Sequence, residues 1–75
     1  MIFRLTEPDH MKGETVKQTQ RALKARGFSP GPIDGDFGPQ THNAVAALQA
    51  SNGMVADGEV GPLTAKKLGM SLPAA

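Results

Sequence analysis

Residues 33–41 read IDGDFGPQT, and residues 56–64 read ADGEVGPLT. Aligned on their aspartates, the copies lie 57 − 34 = 23 residues apart and share the pattern D-G-[DE]-[FV]-G-P-x-T. Each copy is the same local solution. Asp-Gly makes a tight turn, because the Asp side chain bonds nearby backbone and glycine tolerates conformations forbidden to other residues. An apolar residue, Phe37 or Val60, then plugs inward. Gly-Pro launches a helix, since proline at the first helical position forfeits no hydrogen bond. Thr41 and Thr64 fall on the first turn of the new helix, where a hydroxyl can bond local backbone. One such unit cannot bury its apolar face alone. The two must pack against each other and against a further helix.

That further helix lies upstream, in TVKQTQRALKARG at residues 15–27. Thr15 and Gln18 fit a capping box. Val16, Thr19, Gln20 and Leu23 share one side at helical spacing, while Lys17, Arg21 and Lys24 form a stripe on another. Gly27 stands where a left-handed cap is needed. Between this helix and the first turn, FSPGPIDGDFG carries too much Pro and Gly for a regular element. Its Phe28, Ile33 and Phe37 are large for a loop and predict that it folds back onto the core. The second helix is expected from Pro39 to Gly53, with Thr41, Ala44, Val45 and Leu48 facing inward. MVADGEVG repeats the loop logic in fewer residues, and PLTAKKLG gives a brief third helix ending at Gly69. Residues 1–13 read as an irregular lead-in in which Ile2, Phe3 and Leu5 pack onto the body. Met70 and Leu72 are expected to add to the core before the tail frays or continues as a linker.

Composition narrows the choices. The chain has 75 residues, which is room for one small domain, residues 1–75 with a core at 11–69. It has no Cys, and its two histidines, His10 and His42, show no metal-ligand spacing, so no metal or cofactor is expected. A net charge of +1 is too balanced for nucleic acid or an anionic membrane as principal partner. Apolar runs are only a few residues long and cannot span a bilayer. The start, MIFRLTEPDH, lacks a basic segment followed by an apolar stretch of signal-peptide length. Work outside the cytoplasm would therefore require a longer parent chain or another route of release.

The ordered set Val16, Gln20, Leu23, Gly27, Phe28, Asp34, Gly35, Phe37, Gly38 and Thr41, answered by Ala44, Val45, Gln49, Gly53, Asp57, Gly58, Val60, Gly61, Thr64 and Leu68, resembles the peptidoglycan-binding domain of bacterial and phage cell-wall hydrolases. The resemblance covers roughly residues 11–69. It implies an all-α fold, a compact three-helix bundle with long ordered loops. It also implies a monomeric, non-catalytic module in the cell envelope or outside the cell, bringing a linked or associated hydrolase to peptidoglycan. Two positions depart from the pattern. Leu48 and Ala65 stand where the family often has an aromatic residue and a Trp, so any wall contact made by that Trp is absent here.

Other chemistries fit less well. Asp34, Asp36, Asp57 and Glu59 could suggest glycosidase-like acid–base work, but that needs two carboxylates across a cleft, and short helices with loops offer little wall for one. Turn formation is the preferred role. An EF-hand counted from Asp34 would place Gly38, Pro39 and Val45 at its fifth, sixth and twelfth positions, which fails. The stripe Lys17, Arg21 and Lys24, with Arg26 beside it, reads as a solvated face. Sugar rings are normally gripped by Trp or Tyr, and the chain has neither. Peptide stems want amides, backbone N–H groups and cations. The expected ligand-binding residues are accordingly Gln20, Arg26, Asp36, Gly38, Gln40, His42 and Gln49. Gln20 and Gln49 have an equal alternative as buried amides that tie loops to helices, while for His42 an exposed polar side chain is the preferred reading over a ligand contact. A competing reading of the whole is a module that docks to a protein or covers an enzyme's cleft without touching the wall.

Overall fold

The computed structural model describes residues 13–70. The lead-in residues Ile2, Phe3 and Leu5, His10, and the tail residue Leu72 lie outside them. Three helices follow in order: α1, Glu14–Ala25; α2, Pro39–Ser51; and α3, Pro62–Lys67. No strand is present among the described residues. The fold is all-α, with the two turn-plus-helix units placed as the repeat predicts.

Each helix buries the stripe its sequence marks. From α1 these are Val16, Thr19, Gln20 and Leu23, and from α2 Thr41, Ala44, Val45, Leu48 and Gln49. The two plugs of the repeat, Phe37 and Val60, are both fully buried. Ala65 and Leu68 complete the core, with Phe28 and Met70 packed against its edge. Phe37 is the largest buried side chain, and its removal from water contributes about 2–3 kcal/mol.

Both α2 and α3 carry proline at their first position behind an extended glycine, Gly38 or Gly61. The helices close on left-handed glycines, Gly27, Gly53 and Gly69. One detail differs from expectation. No capping box forms at Thr15: the cap lies two residues earlier, at Gly13, with no side-chain cap bond, and α1 starts at Glu14. The helix start is held instead by backbone docking, since Gly13 N–H donates to the Gly35 carbonyl at 3.0 Å. A Cβ on Gly35 would meet the Gly13 oxygen at 2.9 Å, so glycine at the first turn allows this approach.

Candidate functional site

Gln20 and Gln49 organise the two turns in the same way. Gln20 Oε1 accepts the Gly35 N–H at 2.9 Å, and its Nε2 donates to the Asp36 carbonyl, Thr41 Oγ1 and Asp34 Oδ1 at 3.0, 3.1 and 3.3 Å. Gln49 Oε1 accepts the Gly58 N–H at 2.9 Å, and its Nε2 donates to the Glu59 carbonyl, Asp57 Oδ1 and Thr64 Oγ1 at 2.8, 2.9 and 3.1 Å. The aspartates close each turn on themselves: Asp34 Oδ1 takes the Asp36 N–H and Asp57 Oδ1 the Glu59 N–H, both at 2.9 Å. Each glutamine is thus a buried clasp joining helix, turn and the next helix. Of the two roles open to Gln20 and Gln49, the structural one accounts for every polar atom of both amides.

The clasp also sets charge. The Asp57 carboxyl is held below the ordinary 3.8, first by the Glu59 backbone N–H and then by the Gln49 amide, with burial opposing weakly and the neighbouring His42 adding a small pull.

Two grooves flank the helix starts. The first, of about 200 Å³, is walled by Gln20, Asp34, Asp36, Gly38, Gln40 and Thr41 together with Pro30, Pro32 and Pro39. The second, of about 420 Å³, uses the equivalent positions Gln49, Asp57, Glu59, Gly61, Leu63 and Thr64, with Pro62 and the segment Gly53–Val55. Among the described residues, each lining carries two acidic side chains and no Lys, Arg or His.

Of the seven residues singled out from sequence, Gln20, Asp36, Gly38 and Gln40 converge on the first groove, and Gln49 lies in the second. Arg26 and His42 are in neither lining. Arg26 is exposed at the end of α1, its guanidinium near the Ala22 carbonyl at 3.5 Å and close to Gly69. His42 is half-buried with its ring against Gly58, where a Cβ has no room, and its buried Nδ1 has no hydrogen-bond partner. Sequence reading passed over Val55 and Leu63. They are the exposed large apolar residues of the described chain, and both line the second groove. The available signal was their place in the shorter copy of the repeat.

Comparison with known proteins agrees with this architecture. Residues 12–68 match the family model described as "Putative peptidoglycan binding domain", and the chain belongs to that family. It is 45% identical over 56 residues to the N-acetylmuramoyl-L-alanine amidase CwlM of Mycobacterium tuberculosis, covering 75% of this chain and 14% of that protein. It is 42% identical over 73 residues to the amidase CwlL of Bacillus licheniformis, covering 89% and 20%, and 43% identical over 61 residues to the zinc D-Ala-D-Ala carboxypeptidase of Streptomyces albus G, covering 75% and 23%. The chain therefore spans less than a quarter of the length of these relatives. In structure it is similar to the SleB N-terminal domain, with a TM-score of 0.80 at 32% identity over 91% of this chain and 88% of that one.

Proposed function

We propose that the chain is a non-catalytic peptidoglycan-binding module that holds a linked or associated cell-wall hydrolase at its substrate, in the envelope or outside the cell. Family membership supports the ligand, and the amidases among the relatives support the partner. The observation that carries a binding role over a catalytic one is the use of Asp34 and Asp57: each closes its own turn and is fixed there by a glutamine. Acid–base catalysis needs carboxyls held apart across a substrate, with one kept protonated. Asp57 is instead biased further toward its anion.

Peptide stems are the favoured part of the wall. Stacking on sugar rings requires exposed aromatic faces. The chain has no Trp or Tyr, Phe37 is fully buried, and Phe28 is half-buried against the core. The grooves beside the helix starts offer small polar groups and aliphatic surface, which suit a peptide. Modest affinity is enough for the role, because a tether converts the hydrolase's encounter with substrate into an intramolecular one at high effective concentration. Co-sedimentation with purified sacculi tests the reading. Retention above a size-matched control protein is expected, and retention equal to the control removes it.

A further inference from the structure

The two grooves are one site built twice, and they differ first in the length of chain between clasp and turn. Gln20 and Asp34 are 14 positions apart, whereas Gln49 and Asp57 are 8 apart. In the first copy the additional chain folds back over the threonine: Thr41 Oγ1–H donates to the Pro30 carbonyl at 3.0 Å, inside the protein. The shorter second copy has no counterpart of Pro30. Thr64 Oγ1 accepts from Gln49 at 3.1 Å, the residue is 3% exposed, and no acceptor among the described residues takes its hydroxyl proton. A buried donor lacking an acceptor is unfavourable, and a carbonyl arriving at the place of Pro30 removes that cost.

The surroundings agree. The groove beside Thr64 has about 420 Å³ of open space against 200 Å³ beside Thr41. In the first copy, Gln40 folds onto Gly31 and narrows the mouth. Its counterpart Leu63 is 59% exposed, and Val55 is 82% exposed along the same groove. Asp57 and Glu59 lie in the same lining.

We propose that the groove between Val55, Asp57, Leu63 and Thr64 is the peptide-stem site, and that the groove at Thr41 is a replica already filled by the chain's own Pro30 segment. A backbone carbonyl of the stem accepts from Thr64 Oγ1–H, as the Pro30 carbonyl does from Thr41. An aliphatic, amine-bearing side chain of the stem runs along Val55 and Leu63 toward the Asp57 carboxylate. This assignment rests on the wall-binding reading above and narrows it to one of two equivalent grooves.

The test is an amide-shift titration of the isotope-labelled chain with the synthetic stem pentapeptide L-Ala-γ-D-Glu-L-Lys-D-Ala-D-Ala, beside co-sedimentation with sacculi. Expected shifts centre on Val55, Asp57, Leu63 and Thr64, with Gln40 and Thr41 unmoved. Leu63→Ala and Thr64→Val each weaken binding roughly three- to tenfold, while Thr64→Ser retains it. Acetylating the lysine amine of the peptide also weakens binding. Leu63 is exposed, so its variant decides the matter even where Thr64→Val fails to fold. Shifts centred on Gln40 and Thr41, or affinity unchanged in Leu63→Ala, overturn the assignment. Absent shifts with sacculi retention intact also overturn it but leave the wall-binding reading standing. Absent shifts with retention lost remove both.

Discussion

Gln20 reaches across 21 positions of chain to donate to Thr41 Oγ1 at 3.1 Å, and Gln49 reaches across 15 to make the same bond to Thr64. The bond links the helix before each turn to the helix after it, so the turn cannot loosen without breaking a buried amide's contacts. In a chain with no disulfide and a small core, these two polar clasps stand in for covalent staples.

Replacing either glutamine with leucine tests that role. Gln49→Leu leaves the Gly58 N–H, the Glu59 carbonyl and Thr64 without their partner, and Gln20→Leu does the same to Gly35, Asp36 and Thr41. Each substitution is expected to cost about 2–4 kcal/mol, since buried groups lose bonds they cannot replace with water. The exposed Gln40→Ala should stay within about 0.5 kcal/mol. Urea unfolding followed by circular dichroism reads both. Equal stability of the three variants would sink the clasp.

A second expectation concerns Gly58 and His42. Gly58 has φ +73°, and the His42 ring occupies the place of its missing Cβ. Gly58→Ala therefore meets backbone strain of about 1–2 kcal/mol together with a steric clash. Gly53→Ala, at φ +69° with open space around it, meets strain alone. Gly58→Ala should be the more damaging change, and adding His42→Ala should recover part of the loss. A double-mutant cycle with no coupling between 42 and 58 would contradict the contact.

Much of this arrangement was legible in the sequence, and the exceptions have physical causes. The helices and their buried stripes follow from local periodicity, and the repeat encodes both turns and both proline starts. The dual status of Gln20 and Gln49 could not be resolved, because an amide at helical spacing looks the same whether it binds a ligand or a distant loop. Thr15 and Gln18 satisfy a local capping rule, yet Gly13 finds a backbone partner in Gly35, far along the chain. His42 and Gly58 meet only through tertiary packing. The second groove exists because the later copy is short, and a deletion shows in sequence as a length difference without saying what space it opens.

Acid should expose the contribution of Asp57. Its folded carboxyl titrates below the ordinary 3.8 because the Glu59 N–H and Gln49 amide favour the anion. A depressed folded pKa adds stability that is fully present above the unfolded value and is lost as pH falls through the folded one. Asp57→Asn should flatten the decline in stability below about pH 4. Stability measured from pH 6 to pH 2 in both forms checks this. Parallel curves would mean that the turn does not hold the anion.

The most direct measurement for the binding account is an amide-shift titration with soluble fragments from enzymatically digested sacculi, which reads binding and its location in one spectrum. Saturable shifts at the start of α3 and the Val55–Asp57 segment are expected, with the Lys17, Arg21 and Lys24 face of α1 silent. No shift at wall-fragment concentrations in the millimolar range, or shifts confined to that basic face, would contradict the account.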